Sequence, residues 1–179
     1  MGLQLLFTGK LKRTIYLFFI CVITSNGQAL ESPSLSLLEG RWYIQFSNFP
    51  MWLKGNKTHP TFNYTAINKN GKVILKDEVK YVKGGKEKMI SGYDYPTDEG
   101  SSFLWRGKGL LRIAKSRWEI IYYDKVFQFA IIRFKKTAFT PAGIDVISRE
   151  KNISVEVKKQ ISNKLKELGI VEELTIISQ

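Results

Sequence analysis

Residues able to do covalent chemistry are scarce in this chain of 179 residues, which has one histidine, His59, and one cysteine, Cys21. A nucleophile needs a base within hydrogen-bond reach, and no nucleophile elbow or metal-ligand spacing is present to supply such a pair. Two carboxylates stand out. Asp77 lies in an alternating run, Lys72 to Val82, sharing a face with Val73, Leu75, Val79 and Tyr81. There it either anchors a ligand or sits near a mouth or beside a paired strand. Asp124 follows Tyr122-Tyr123, and the two carboxylates could work as acid and base only if both pointed inward. Aromatic residues, by contrast, are plentiful: 4 Trp, 8 Tyr and 11 Phe. Such side chains suit strands and the walls of an apolar cavity. The chemistry expected is non-covalent binding, with no catalytic residue, metal or cofactor.

Those residues need a scaffold, and the chain is long enough for one domain with a real core. Residues 1–29 read as a secretory signal: Lys10, Lys12 and Arg13 form a basic start, Ile15 to Ile23 is an apolar run, and Gly27-Gln28-Ala29 offers small residues for cleavage. The apolar run is far short of the roughly 20 residues that span a bilayer. Removing this segment removes Cys21, so the exported chain, residues 30–179, holds itself by its core without a disulfide. Sequons at Asn56, Asn63 and Asn152 are candidate glycosylation sites that mark surface positions if the source is a eukaryote, and are accidents of an Asn- and Lys-rich composition if it is a bacterium. The formal charge of +12 falls to +9 when the three basic residues of the leader are lost. The lysines are spread over most strands and the helix, with no recognition helix, zinc spacing or RNA-binding signature, so nucleic acid is not an expected partner. An anionic membrane surface or an anionic glycan is the alternative partner of so basic a face.

Period-two alternation organises the rest. Gly40 opens a strand to Ser47 in which Trp42, Ile44 and Phe46 share one face and Arg41, Tyr43 and Gln45 the other. Asn48 to Pro60 is expected to be a long loop, in which Trp52 acts as a lid or simply folds back on the domain. Strands follow at Thr61–Asn68, Lys72–Val82, Lys86–Tyr95, Ser101–Ile113, Arg117–Asp124, Val126–Lys135 and Ile144–Arg149. Asn70-Gly71 and Gly84-Gly85 supply hairpin turns. One amphipathic helix is predicted over Val155–Leu168, capped by Ser154 and stopped by Gly169, with Val157, Ile161, Leu165 and Leu168 on its apolar stripe. A last short strand spans Leu174–Ile177. The strand Val126–Lys135 is apolar on both faces, so the helix is expected to cover it from outside. The fold class is all-β: an eight-stranded antiparallel up-and-down barrel with one external C-terminal helix.

Gly40-x-Trp42, Tyr123-Asp124, and Ile147-Ser148-Arg149 followed by a helix within Asn152 to Gly169 together resemble the lipocalins. They look most like the apolipoprotein D and bacterial outer-membrane lipocalin branch, over residues 38–179. The resemblance implies that Trp42 closes one end of the barrel with Arg149 stacked on it, a cation–π contact worth about 0.5–2 kcal/mol. It also implies a small hydrophobic ligand inside, of fatty acid, lysophospholipid, retinoid, sterol or tetrapyrrole class. An enzyme acting on a lipid or carotenoid-like substrate is the alternative. Three departures matter: no disulfide ties down the C-terminal segment, Tyr122-Tyr123-Asp124-Lys125 matches the Thr-Asp-Tyr motif only in part, and Asp145 stands where an aromatic is common. Alternation places Phe62, Tyr64, Val73, Leu75, Met89, Tyr93, Phe103, Trp105, Trp118, Ile120, Tyr122, Phe127 and Phe129 inside, with Trp52 over the open end.

Overall fold

The computed structural model describes residues 34–97, 101–138 and 140–179; the leader expected at 1–29 lies outside them. A single turn of helix, α1 (Leu35–Leu38), leads into β1 (Gly40–Ser47). A second short helix, α2 (Pro50–Leu53), precedes β2 (Thr58–Lys69), β3 (Lys72–Lys83), β4 (Lys86–Pro96), β5 (Ser102–Gly107), β6 (Lys115–Tyr123), β7 (Phe129–Phe134) and β8 (Gly143–Ser148). Helix α3 (Val155–Glu167) and a two-residue strand, β9 (Thr175–Ile176), end the chain. Each strand from β1 to β8 pairs antiparallel with the next, and β8 pairs back to β1, which closes the barrel. The expected strand Ser101–Ile113 stops at Gly107 and turns through a 3-10 segment at Gly109–Leu111. The expected loop Asn48–Pro60 is shortened by α2 and by an early start to β2.

The register shifts within β1, β2 and β6, and the shifts in β1 and β6 change which side chains line the interior. Along β1 the register with β8 shifts between Ile44 and Phe46. Ile44 therefore joins the interior, Phe46 packs outside, and Ser47 meets the buried Asp145. Along β6 the register with β7 shifts between Ile120 and Tyr122. Ile120 points in, while Tyr122 points out. An extra residue on one strand reverses the parity of every later side chain, so alternation read from sequence fails past each bulge.

The interior core runs from Leu38, Trp42 and Ile44 through Leu75, Phe103 and Ile120 to Ile132 and Ile147. A second cluster lies outside the barrel, where Val157, Ile161 and Leu165 of α3 cover Phe129, Ile131, Ile144 and Val146. Strand β8 is thus buried on both faces. Leu168, expected on that stripe, is instead the half-exposed C-cap. Ser154 caps α3 by accepting the backbone N–H of Val157 at 3.3 Å. Ser154→Ala is expected to lower unfolding stability by about 1 kcal/mol in urea titrations, with the m-value unchanged.

β1 pairs with β2 only from Gly40 to Tyr43. Beyond that point the C-terminal tail fills the seam. β9 pairs with Phe46 and Ser47, Ile177 N–H donates to Gln45 C=O, and His59 N–H donates to Ser178 C=O. Ile177 is buried and belongs to the interior core.

At the closed end the guanidinium of Arg149 lies 3.7 Å from the centroid of the Trp42 ring. Arg149 also donates to the carbonyls of Leu37, Glu39 and Arg41, and Trp42 Nε1–H donates to Leu38 C=O at 2.8 Å. One arginine thereby ties two carbonyls of the lead-in, those of Leu37 and Glu39, to the first residues of β1.

Candidate functional site: an aromatic calyx with buried aspartates

The end opposite Trp42 and Arg149 holds an internal cavity of about 210 Å³. Its walls are Phe49, Met51, Trp52, Phe62, Tyr64, Val79, Ile90, Trp105, Trp118 and Phe134, with Ser116, Thr140, Asp77 and Asp145 as polar members. Cross-strand pairs explain which side chains line it. On β2 and β3, Tyr64 opposes Asp77 and Phe62 opposes Val79, so these four share the inner face. On β4, Gly92 opposes Asp77, Ile90 opposes Val79 and Asp94 opposes Leu75, which puts Ile90, Gly92 and Asp94 inside as well.

Of the twelve residues expected to contact a ligand, Trp52, Phe62, Tyr64, Trp105 and Trp118 line the cavity. Leu75 and Phe103 are buried in the interior core without lining it. Five lie elsewhere. Met89 is 55% exposed and Tyr93 points outward under Lys69, whose Nζ sits 4.2 Å from the ring centroid, because pairing with β3 turns the opposite face of β4 inward. Val73 is 52% exposed beside the Asn70-Gly71 hairpin, where β3 has run past the core. Tyr122 is carried outward by the β6 bulge and Phe129 faces α3; their rings lie 5.7 Å apart in the outer cluster. Ile120 and Phe127 are interior, Phe127 with a positive φ of 57° at the β6 to β7 turn. Trp52, expected in a loop, is 5% exposed on α2, with its ring edge-on to Tyr81.

Asp77 is inside, but Asp124 does not join it. Asp124 accepts the backbone N–H of Phe129 at 2.7 Å and organises the β6 to β7 turn. Two aspartates that sequence reading left out of the site, Asp94 and Asp145, are both 0% exposed. Asp145 had a detectable signal: it stands in a strand apolar on both faces, so either orientation buries it. Asp94 had none, since Tyr93 and Tyr95 look equally suited to the inner face.

Each of the three buried aspartates has an indole beside it. Trp118 Nε1–H donates to Asp94 at 2.7 Å, and the indoles of Trp105 and Trp52 act on Asp77 and Asp145 in the same sense, favouring the ionised carboxyl. Ser47 adds a second donor to Asp145 at 2.5 Å. Trp105 crosses β4 at Gly92, where a Cβ would sit 2.5 Å from the indole, so any side chain there would displace it. Burial lifts Asp145 to about 7 against the opposing pull of the Ser47 and Trp52 hydrogen bonds. Asp77 is raised well above the usual carboxylate range by burial and then by the charge of Asp94. Asp94 is raised by burial, opposed by Trp118. Burial, reinforced by the charges of Asp77, Asp94 and Asp145, pushes the Tyr64 phenol well above its ordinary value, so all three carboxyls act on one hydroxyl.

The candidate glycosylation sites differ. Asn56 and Asn152 are exposed, whereas Asn63 is half-buried and donates to Thr61 Oγ1 and Glu78 C=O.

Solved structures superpose on this barrel. Insecticyanin from the tobacco hornworm Manduca sexta matches with a TM-score of 0.66 at 12% identity, covering 83% of this chain and 82% of that one. The fold is that of a lipocalin. Lobster apocrustacyanin A1 matches this lipocalin barrel at a TM-score of 0.59 and 16% identity, over 80% of this chain and 78% of that one. The siderocalin Ex-FABP, described as functioning through dual ligand specificities, matches at 0.59 and 13%, over 80% and 95%. No family model and no curated sequence matches the chain. The lipocalin architecture is therefore carried by strand order and the closed-end packing, at identities where sequence comparison is silent. The apolipoprotein D branch suggested by the motifs is not singled out among these neighbours. Among the described residues, no helix is long and apolar enough to cross a membrane.

Proposed function

We propose that this chain is an exported lipocalin that carries a small hydrophobic ligand inside its barrel without transforming it. The observation that supports this most directly is the calyx: a cavity of about 210 Å³, walled by aromatic and aliphatic side chains and reached from the end opposite Trp42. Concave, mostly apolar sites with a few polar groups are the usual form of a small-molecule site. The volume lies between the roughly 150 Å³ that holds a benzene ring and the lower end, about 300 Å³, of drug-sized pockets. It favours one or two rings, or an alkyl segment of similar bulk, over an enclosed sterol or tetrapyrrole. Export rests on the leader at residues 1–29; N-terminal sequencing of protein recovered outside the producing cell is expected to start at Leu30.

The test is obstruction. Ile90 lines the cavity and is only partly buried, so Ile90→Trp directs its bulk into open space. Quenching of the intrinsic tryptophan fluorescence by a bound ligand from a broad lipid and aromatic panel is expected to weaken by about tenfold or more, a loss of about 1.4 kcal/mol. The unfolding midpoint should change little. Equal quenching by both proteins would place the ligand elsewhere.

A further inference from the structure

Asp77 and Asp145 line the calyx, and each keeps one buried carboxyl oxygen, Oδ1 of Asp77 and Oδ2 of Asp145, without a hydrogen-bond partner. Their residues are only 4% and 0% exposed. Leaving a buried acceptor unpaired costs about 1–3 kcal/mol, and more when it is charged. Ser47 donates to the other oxygen of Asp145, Oδ1, so the accepting capacity of Asp145 Oδ2, like that of Asp77 Oδ1, is not absorbed by the protein. The neighbouring walls are aromatic. Tyr64 stacks over Trp118 at 6.0 Å and over Phe62 at the same distance.

A hydrocarbon in this space would leave both oxygens unpaired, and a carboxylate or phosphate would add a like charge beside them. An ammonium group answers both features: it carries three donors and no acceptor, its positive charge draws the buried carboxyl it meets to the ionised form, and that charge is favoured by the faces of aromatic rings. Among the described residues no group of three or more His, Cys, Asp or Glu could hold a metal ion, so the cation that fits is organic. Taking the calyx reading above as its basis, we propose that the ligand is a small primary amine bearing one or two rings, held as its ammonium ion by a buried carboxyl of the calyx, Asp77 or Asp145. Lys54, Lys57 and Lys83 line the groove just outside, which adjoins the calyx through Phe49, Met51 and Thr140. Their repulsion acts through water and is screened over about 8 Å at physiological salt. Their repulsion therefore opposes an amine at low salt and fades as the salt rises.

The experiment compares three probes of one shape by isothermal titration: 2-phenylethylamine, 2-phenylethanol and 3-phenylpropionate at neutral pH. The amine is expected to bind at least about tenfold more tightly than the alcohol, as charge-assisted hydrogen bonding implies, and the acid more weakly than either. In the Asp77→Asn, Asp145→Asn double variant the ratio of amine to alcohol should collapse to within about threefold. Should that variant fail to fold, the wild-type ratio decides alone. An alcohol or acid that equals the amine on the wild-type protein overturns the proposal. If amine and alcohol bind equally and Ile90→Trp abolishes both, the amine is wrong and the calyx reading stands. If no probe and no panel ligand binds the wild-type protein, both fall together.

Discussion

Lowering the pH from about 8 to about 5 is expected to raise the unfolding midpoint of this protein, by on the order of 5 °C. The sign follows from Asp145, whose folded-state value is about 7 against an ordinary 3.8. Between those two values the folded chain binds a proton that the unfolded chain does not. The stabilisation from the protonated form is thus complete below about 4, declines as pH rises towards 7, and is gone above it. Asp77 and Asp94 are displaced in the same direction by the same cause, burial, and add to the trend. Glu78 and Glu156 are displaced downward, so their opposing loss of stability falls below the ordinary glutamate value of 4.5, outside this window. Thermal melts by circular dichroism at pH 8, 6.5 and 5 test this directly. Asp145→Asn should raise the midpoint at pH 8 and flatten the dependence, since an amide keeps an acceptor for Ser47 without the buried charge. A midpoint that falls steadily from pH 8 to 5 would show that the aspartates are solvated in solution.

Trp42→Ala is expected to leave little folded protein at 37 °C. The side chain is 0% exposed and packs edge-on against Phe127 at 5.6 Å. Truncating a fully buried aromatic costs about 3–5 kcal/mol, against a total stability of about 5–15 kcal/mol for a domain. The loss here goes beyond a cavity, because the indole also ties down Leu38 C=O and forms the surface on which Arg149 lies. Arg149→Lys separates these contributions. A lysine keeps the charge but not the fork that reaches the carbonyls of Leu37, Glu39 and Arg41. It is expected to cost about 1–3 kcal/mol in urea titrations, less than Trp42→Ala. Equal stability of Arg149→Lys and the parent would mean that the lead-in is held by packing alone.

Several features of this molecule were already written in local sequence. The number and order of the eight barrel strands, the Asn70-Gly71 hairpin and the helix capped by Ser154 follow from alternation, turn chemistry and capping, which act over a few neighbouring residues. The closed-end pairing of Trp42 with Arg149 was not local: it was implied by the resemblance to the lipocalins, although 106 residues of chain lie between them. Tertiary structure alone decided which face of each strand looks inward. Strand parity is local, but inside and outside are assigned by the neighbours a strand pairs with, and one bulge reverses the assignment. Ser47 is therefore interior and Phe46 is not, Ile90 lines the calyx and Met89 meets water, and Tyr122 lies under α3. The buried aspartates show the same division. No rule of spacing marks Asp94 as the partner of Trp118, because an indole donor and a carboxyl acceptor two strands apart meet only once β4, β5 and β6 have paired in register.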